Sequence, residues 1–184
     1  MTFRPVFIIP VLIFFLFVGV SLWGLLAITN GSRDTQSIGF SMEGQAIPLV
    51  TLPLLKATDQ DEFLLTDWQG QAYAINVWAS WCPPCRAEAP AIERLSESLP
   101  VLGINQRDEQ ENALDFLNTF GDPYTAIGVD RDGRASIEIG VQALPETLII
   151  GPDGTIILHH RGPIFANELN GVIRDALITL GMAP

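Results

Sequence analysis

The chain has 184 residues, 48% of them hydrophobic, and carries 21 acidic against 10 basic residues for a net charge of −11. That length holds one ordinary domain with little to spare, and the acidic balance argues against nucleic acid or anionic lipid as a partner. Two cysteines and two histidines fall short of the about four ligands of a structural zinc site. His159 and His160 are neighbours on a predicted strand, so their side chains point to opposite faces, and a solvated strand is their ordinary reading.

From Pro5 to Ser32 there is no charged residue, and Val6 to Ile28 is dominated by Val, Ile, Leu and Phe. A bilayer crossing needs about 20 apolar residues, a secretory core only about 7–15 followed by a small-residue cleavage site. No such site stands before Arg33, so residues 1–29 read as an uncleaved membrane anchor. Arg4 at one end, and Arg33 followed by Asp34 at the other, place the N-terminus in the cytoplasm. Residues 30–43, rich in Gly, Ser, Thr and Asn, read as a tether. Residues 44–184 then form the exported domain; every acidic residue and eight of the basic ones lie beyond Arg33.

Within that domain, Ile47 to Leu55 is apolar but holds two prolines, which suits an edge strand. Glu62 to Leu65 reads as a short strand and Gln71 to Ala79 as a buried central one. Arg86 to Leu99 reads as a helix with Ile92, Leu95 and Leu99 at core spacing, kinked at Pro90. A strand is predicted over Val101 to Asn105. A helix follows over Glu109 to Phe120, with Ala113, Leu114, Leu117 and Phe120 on one face. Tyr124 to Val129 is a strand and Arg134 to Ile139 a short helix. Glu146 to Ile150 and Ile156 to His160 form a hairpin about Gly151-Pro152-Asp153-Gly154. Glu168 to Leu180 closes the chain as an amphipathic helix with Leu169, Val172, Ile173, Ala176, Leu177 and Leu180 on its stripe. The alternation predicts an α/β fold: a central mixed sheet with helices on both faces.

Both cysteines lie in Trp81-Cys82-Pro83-Pro84-Cys85, at the junction of the central strand with the next helix. The first sulfur falls at the helix N-terminus, where free N–H groups and the dipole favour a thiolate; the second lies one turn in. Cys-x-x-Cys beside a βαβ pattern marks a thioredoxin-like redox site. Covalent haem attachment would need His at position 86, which is Arg. A structural disulfide would close so short a loop that it removes little chain entropy.

Trp78-Ala79-Ser80-Trp81-Cys82-Pro83-Pro84-Cys85-Arg86-Ala87-Glu88 resembles the active-site block of membrane-tethered thioredoxin-like reductases, and Pro90 matches the kink proline of thioredoxins. Gly140-Val141-Gln142-Ala143-Leu144-Pro145-Glu146-Thr147 resembles a narrower signature, Gly-Val-x-Gly-x-Pro-Glu-Thr. It belongs to the cytochrome c maturation thiol–disulfide reductases of the CcmG/DsbE type. The resemblance spans about residues 44–180. Ala143 stands where the signature has Gly and Leu148 where an aromatic is usual, two departures expected to reshape the partner groove.

The resemblance implies a thioredoxin-like fold in which Cys82 attacks a substrate disulfide and Cys85 resolves the mixed disulfide. Pro83 and Pro84 stiffen the loop, and Trp81 lies beside it. Pro145 resembles the cis-proline that presents the Leu144 backbone to a substrate strand; an ordinary trans proline is the alternative. Glu88 is read as a proton relay for Cys85 or as an exposed helix acid, Glu146 as the family's acidic groove residue or as a solvated strand residue. Asn76 stands where thioredoxins carry a buried acid. No cofactor or metal is expected beyond the Cys82–Cys85 couple. The implied activity is that of a single-pass, inner-membrane reductant facing the periplasm. It would act on apocytochrome c or a cytochrome c maturation thiol protein and take electrons from a membrane disulfide reductase. The alternatives are a general reductase for other envelope or copper-site disulfides, and a non-enzymatic holder of apocytochrome. Direction of transfer is not readable from Cys-Pro-Pro-Cys alone; the lack of a histidine between the cysteines and two nearby acids favour a reductant.

Overall fold

The computed structural model describes residues 8–30, 42–56 and 62–182, with side chains in the first stretch over residues 9–23. The chain divides into two compact units, Met1–Gly39 and Phe40–Pro184. In the first, helix α1 (Ile8–Asn30) runs 23 residues with no charge, and its described side chains are all exposed. Among the described residues no helix is long and apolar enough to cross a membrane. Most of the predicted tether lies outside the described residues.

In the second unit the predicted element order holds. Strands β1 (Thr51–Pro53) and β2 (Glu62–Leu64) pair antiparallel as a separate ribbon. The central sheet has order β5-β4-β3-β6-β7, built from β3 (Tyr73–Trp78), β4 (Val101–Gln106), β5 (Ala126–Asp130), β6 (Glu146–Ile150) and β7 (Ile156–Arg161). β3, β4 and β5 run parallel; β6 and β7 are antiparallel to their neighbours. Within Ile47–Leu55 the strand is therefore Thr51–Pro53, an edge of the two-stranded ribbon, and Leu54 meets the central sheet through a bridge to Gly128.

Period-two alternation gives the sheet two buried faces. Ile75, Val77, Leu102, Ile104, Leu148 and Ile150 pack with the β1–β2 ribbon and with Ala135 and Ile139, at and just past helix α4 (Arg134–Glu138). On the other face Ala74, Val101 and Ile149 meet Ile92 and Leu95 of α2 (Pro83–Ser96) and Ile173 and Leu177 of the last helical segment. There Trp78 also meets Ala113, Phe116 and Leu117 of α3 (Gln110–Phe120). Gly103 makes this close approach feasible: a Cβ there would lie 3.0 Å from Trp78 Nε1 and 3.1 Å from the Tyr124 ring.

Three helix expectations change. α2 begins at Pro83 rather than Arg86, because proline suits the first turn, whose N–H groups have no helical partner. Phe120, placed on the core face of α3, is 42% exposed, and Phe116 takes the core position. The last helix is broken: α5 (Ala166–Glu168) passes through a π segment, Leu169–Ile173, before α6 (Arg174–Thr179). Gly171 there is non-helical (φ −110°, ψ −109°). The wider turn shifts the stripe, so Val172 faces out while Ile173 and Leu177 stay buried.

Candidate active site

β3 ends at Trp78, and the chain turns through Ala79, Ser80 and Trp81 into α2. Cys82 is the N-cap of that helix in extended conformation, with prolines at the first two helical positions. Cys82 and Cys85 are joined in a disulfide, S–S 2.01 Å. The Cys85 N–H donates to Cys82 Sγ at 3.2 Å. A backbone donor on that sulfur, at a helix N-terminus, stabilises negative charge there once the bond is reduced.

Contrary to expectation, Cys82 is not exposed, nor Cys85 half-buried: each is only 2% exposed. Both sulfur-bearing side chains sit in an apolar cluster with Leu55, Trp78, Phe116 and, at its edge, Leu144. The loop wraps over them, so the exposed groups are Trp81 and Pro83, with Pro84 half-buried. Trp81 lines a shallow cavity of about 390 Å³ with Arg86, Phe116 and Phe120. A cavity of about 870 Å³, lined by Leu54, Trp68 and Tyr124 among others, touches neither cysteine.

The turn before Cys82 is tied to the end of β4. Asp108 accepts from the Ser80 N–H at 2.6 Å and the Ser80 hydroxyl at 2.7 Å, and from Asn105 Nδ2 at 3.0 Å. The Trp81 indole donates to the Arg107 carbonyl at 3.0 Å. Arg107 adopts φ +48°, in the left-handed region rarely used outside glycine and asparagine. The Arg86 guanidinium donates to the Ser80 carbonyl at 2.8 Å. Asn105, Arg107 and Asp108 lie outside the motif. The usable signal was topological: parallel neighbours β3 and β4 bring their C-terminal loops together, where open α/β sheets place their sites.

Beneath the cysteines lies a buried polar chain. Glu88, one turn along α2 from Cys85, is 1% exposed, which removes the reading of an exposed helix acid. Its Oε1 accepts from Asn76 Nδ2 at 3.0 Å and its Oε2 from the Ile164 N–H at 3.0 Å. Asn76 also donates to Thr147 Oγ1 at 3.1 Å and accepts from the Tyr124 hydroxyl at 2.7 Å. Burial pushes the Glu88 carboxyl up from 4.5 to about 7, against the pull of the Ile164 and Asn76 hydrogen bonds. Tyr124 rises well above 10 through burial and the nearby Glu88 and Asp122 carboxylates. A carboxyl balanced near neutrality can both take and return a proton.

The Leu144–Pro145 peptide bond is cis, so the trans alternative is set aside. Leu144 is half-buried, Pro145 and Glu146 are buried, and the Pro145 carbonyl accepts from the Gly162 N–H at 2.9 Å. Glu146 is 1% exposed and lies on the α4 face of the sheet, so it is not a solvated strand residue. Its Oε1 accepts from the Gln142 and Ala143 N–H groups at 3.1 and 3.0 Å, and its Oε2 lies 2.6 Å from His159 Nε2. His159, read as a solvated strand residue, is therefore buried and paired. Leu148, expected to shape the groove, is fully buried in the core, whereas Ala143 is exposed.

With this geometry in view, the likenesses to known proteins become specific. Residues 42–173 match the Redoxin domain family. A DsbE homolog among the thiol:disulfide interchange proteins of Paracoccus denitrificans is 42% identical over 169 residues, 90% of this chain and 89% of that one. The chain belongs to the redoxins, among the thiol:disulfide interchange proteins of DsbE type. It is a disulfide oxidoreductase. DsbE of Escherichia coli K12 is 34% identical over 88% of this chain and 87% of its own. CycY of Rhizobium leguminosarum is 44% identical over 97 residues, 52% of each chain. A crystal structure assigned as DsbE of Chlorobium tepidum has TM-score 0.64 at 23% identity, covers 75% of this chain and 96% of its own, and shows the thioredoxin-like fold.

Proposed function

We propose that this redoxin is the reductant of a cytochrome c maturation pathway, held at the inner membrane by its N-terminal helix with the catalytic domain in the periplasm. The observation that carries the chemical part is the Cys82–Cys85 pair capped onto α2, with Glu88 buried one turn below at a pKa near 7. The DsbE and CycY relatives and the Pro-Glu-Thr block support the biological part.

In the forward step the Cys82 thiolate attacks one sulfur of a substrate disulfide. A mixed disulfide forms and the second substrate sulfur leaves as a thiolate. Glu88 takes the proton of Cys85, whose sulfur attacks Cys82 Sγ. The remaining substrate sulfur departs, the proton returns to it, and the oxidised pair seen in the structure results. Two electrons have then passed to the substrate, and a membrane disulfide reductase restores the dithiol. Leu144, Pro145 and Trp81 border the pair and meet the incoming chain. The substrate is apocytochrome c, whose cysteines must be free for haem attachment, or a thiol protein that relays to it.

Cys85→Ser tests this reading, because it keeps the attacking sulfur and removes the resolving one. Mixed disulfides through Cys82 should accumulate in cells and contain apocytochromes c or a haem-ligation thiol protein. A trapped set of unrelated envelope proteins would establish the general reductase instead. A reporter fused after Pro184 should work only in its periplasmic form; cytoplasmic activity would refute the topology.

A further inference from the structure

The Glu146 carboxylate is a hub that the mechanism above does not use. It is buried, yet each oxygen has donors: two backbone N–H groups on Oε1 and the His159 ring on Oε2, with Arg161 Nε 3.9 Å away. The two N–H groups belong to Gln142 and Ala143, the residues that lead into Leu144 and Pro145. The side chain of Glu146 therefore fixes the backbone of the segment that borders the cysteines. His159 comes from the neighbouring strand. In the β6–β7 register it faces Leu148, and Glu146 faces Arg161, so the ring reaches Glu146 on the diagonal. His159 Nδ1 is buried with no hydrogen-bond partner. With no acceptor beside Nδ1, the hydrogen bond the ring makes is the one at Nε2, which donates to Glu146. The backbone of His159 is itself held, its N–H donating to Glu43 Oε1 at 2.9 Å. The ring is thus a fixed single donor, placed to stop the Glu146 carboxylate from rotating away from the loop.

We propose that His159 is a positioning residue for protein substrates: through Glu146 it holds the Gln142–Pro145 edge in the shape against which an extended substrate chain pairs. The proposal rests on the reading of that edge as the substrate edge. It assigns His159 no contact with the sulfurs, so it predicts a split between substrates. A disulfide-bearing chain needs the edge; a small disulfide needs only Cys82.

Two amide variants differing by one methylene test it. In H159Q the side-chain N–H reaches about as far as Nε2 and is neutral; in H159N it falls short. An extended peptide with one Cys-x-x-Cys disulfide and an aromatic small-molecule disulfide serve as substrates. Amide exchange at Gln142 and Ala143 is followed in parallel. H159Q should keep the peptide KM and slow exchange of the wild type. H159N should raise the peptide KM about tenfold, the worth of one charge-assisted hydrogen bond, and speed exchange at both amides. The small-disulfide rate should stay within about twofold in all three, less than half of that hydrogen bond's worth. Equal exchange in H159N and H159Q overturns the role of His159, as does a parallel fall in the small-disulfide rate. A difference in exchange without one in KM overturns the reading of this edge as the substrate edge, and the proposal with it. If H159N does not fold, H159Q alone decides: a Gln donor that fails to preserve wild-type exchange and KM refutes the proposal.

Discussion

Glu88→Gln removes the titrating group of the polar chain beneath the cysteines while keeping its size. In the folded protein burial lifts this carboxyl from 4.5 to about 7, so the native state holds the proton more tightly than the unfolded chain does. The resulting stabilisation is complete below pH 4.5 and is lost as pH rises through about 7. At about 1.4 kcal/mol per pKa unit, the loss is about 3 kcal/mol. The variant has no proton to lose there. It does give up one of the two acceptor oxygens, leaving either the Ile164 N–H or the Asn76 amide without its partner, an offset of about 1–3 kcal/mol that does not vary with pH. Urea unfolding of the oxidised protein, followed by tryptophan fluorescence at intervals from about pH 4 to pH 8, separates the two terms. The wild-type stability should fall relative to that of Glu88→Gln by about 3 kcal/mol across the range, most of it between the unfolded and folded pKa values. Parallel curves would refute the argument, because they would mean that Glu88 binds its proton equally in both states.

Further outcomes follow from the loops around the pair. Limiting alkylation of the reduced protein, read by peptide mass, should label Cys82 first, since its sulfur receives the helix N–H; preferential labelling of Cys85 would reverse the assignment. Asp108→Ala strands the Ser80 N–H and the Asn105 amide and should destabilise the fold by about 3 kcal/mol in urea unfolding; a change below about 0.5 kcal/mol, the range of ordinary surface substitutions, would show that the tie is replaced by water. Gly103→Ala presses a methyl onto Trp78 and Tyr124. It should cost about 1–3 kcal/mol, seen as a lowered melting temperature; an unchanged one would mean the rings yield freely.

What the sequence made legible was local. Cys-Pro-Pro-Cys marks its own place, because Cys82 at the N-cap and Pro83 at the first helical position are choices made within one turn. β3 is apolar but for Asn76 because both sheet faces are covered. The hairpin announces itself at Gly151-Pro152-Asp153-Gly154. What stayed hidden depends on pairings between distant residues. Glu88 meets Ile164 across 76 positions, Asn76 meets Thr147 across 71, and Ser80 meets Asp108 across 28. No periodicity reports these. His159 was misjudged for the same reason, since alternation gives the face of a strand but not what covers it. The expected exposure of Cys82 failed because Leu55, Phe116 and Leu144, which close over it, come from three other parts of the chain.

The depth of the two sulfurs has a consequence for traffic through an oxidising compartment. Thiolates substitute at a disulfide by reaching a sulfur directly, and here each cysteine is only 2% exposed. Free small thiols colliding at random meet little exposed sulfur. A donor that docks and moves Trp81 or the proline loop aside finds one. The wire is insulated: electrons enter and leave fastest where another protein is shaped to strip the covering.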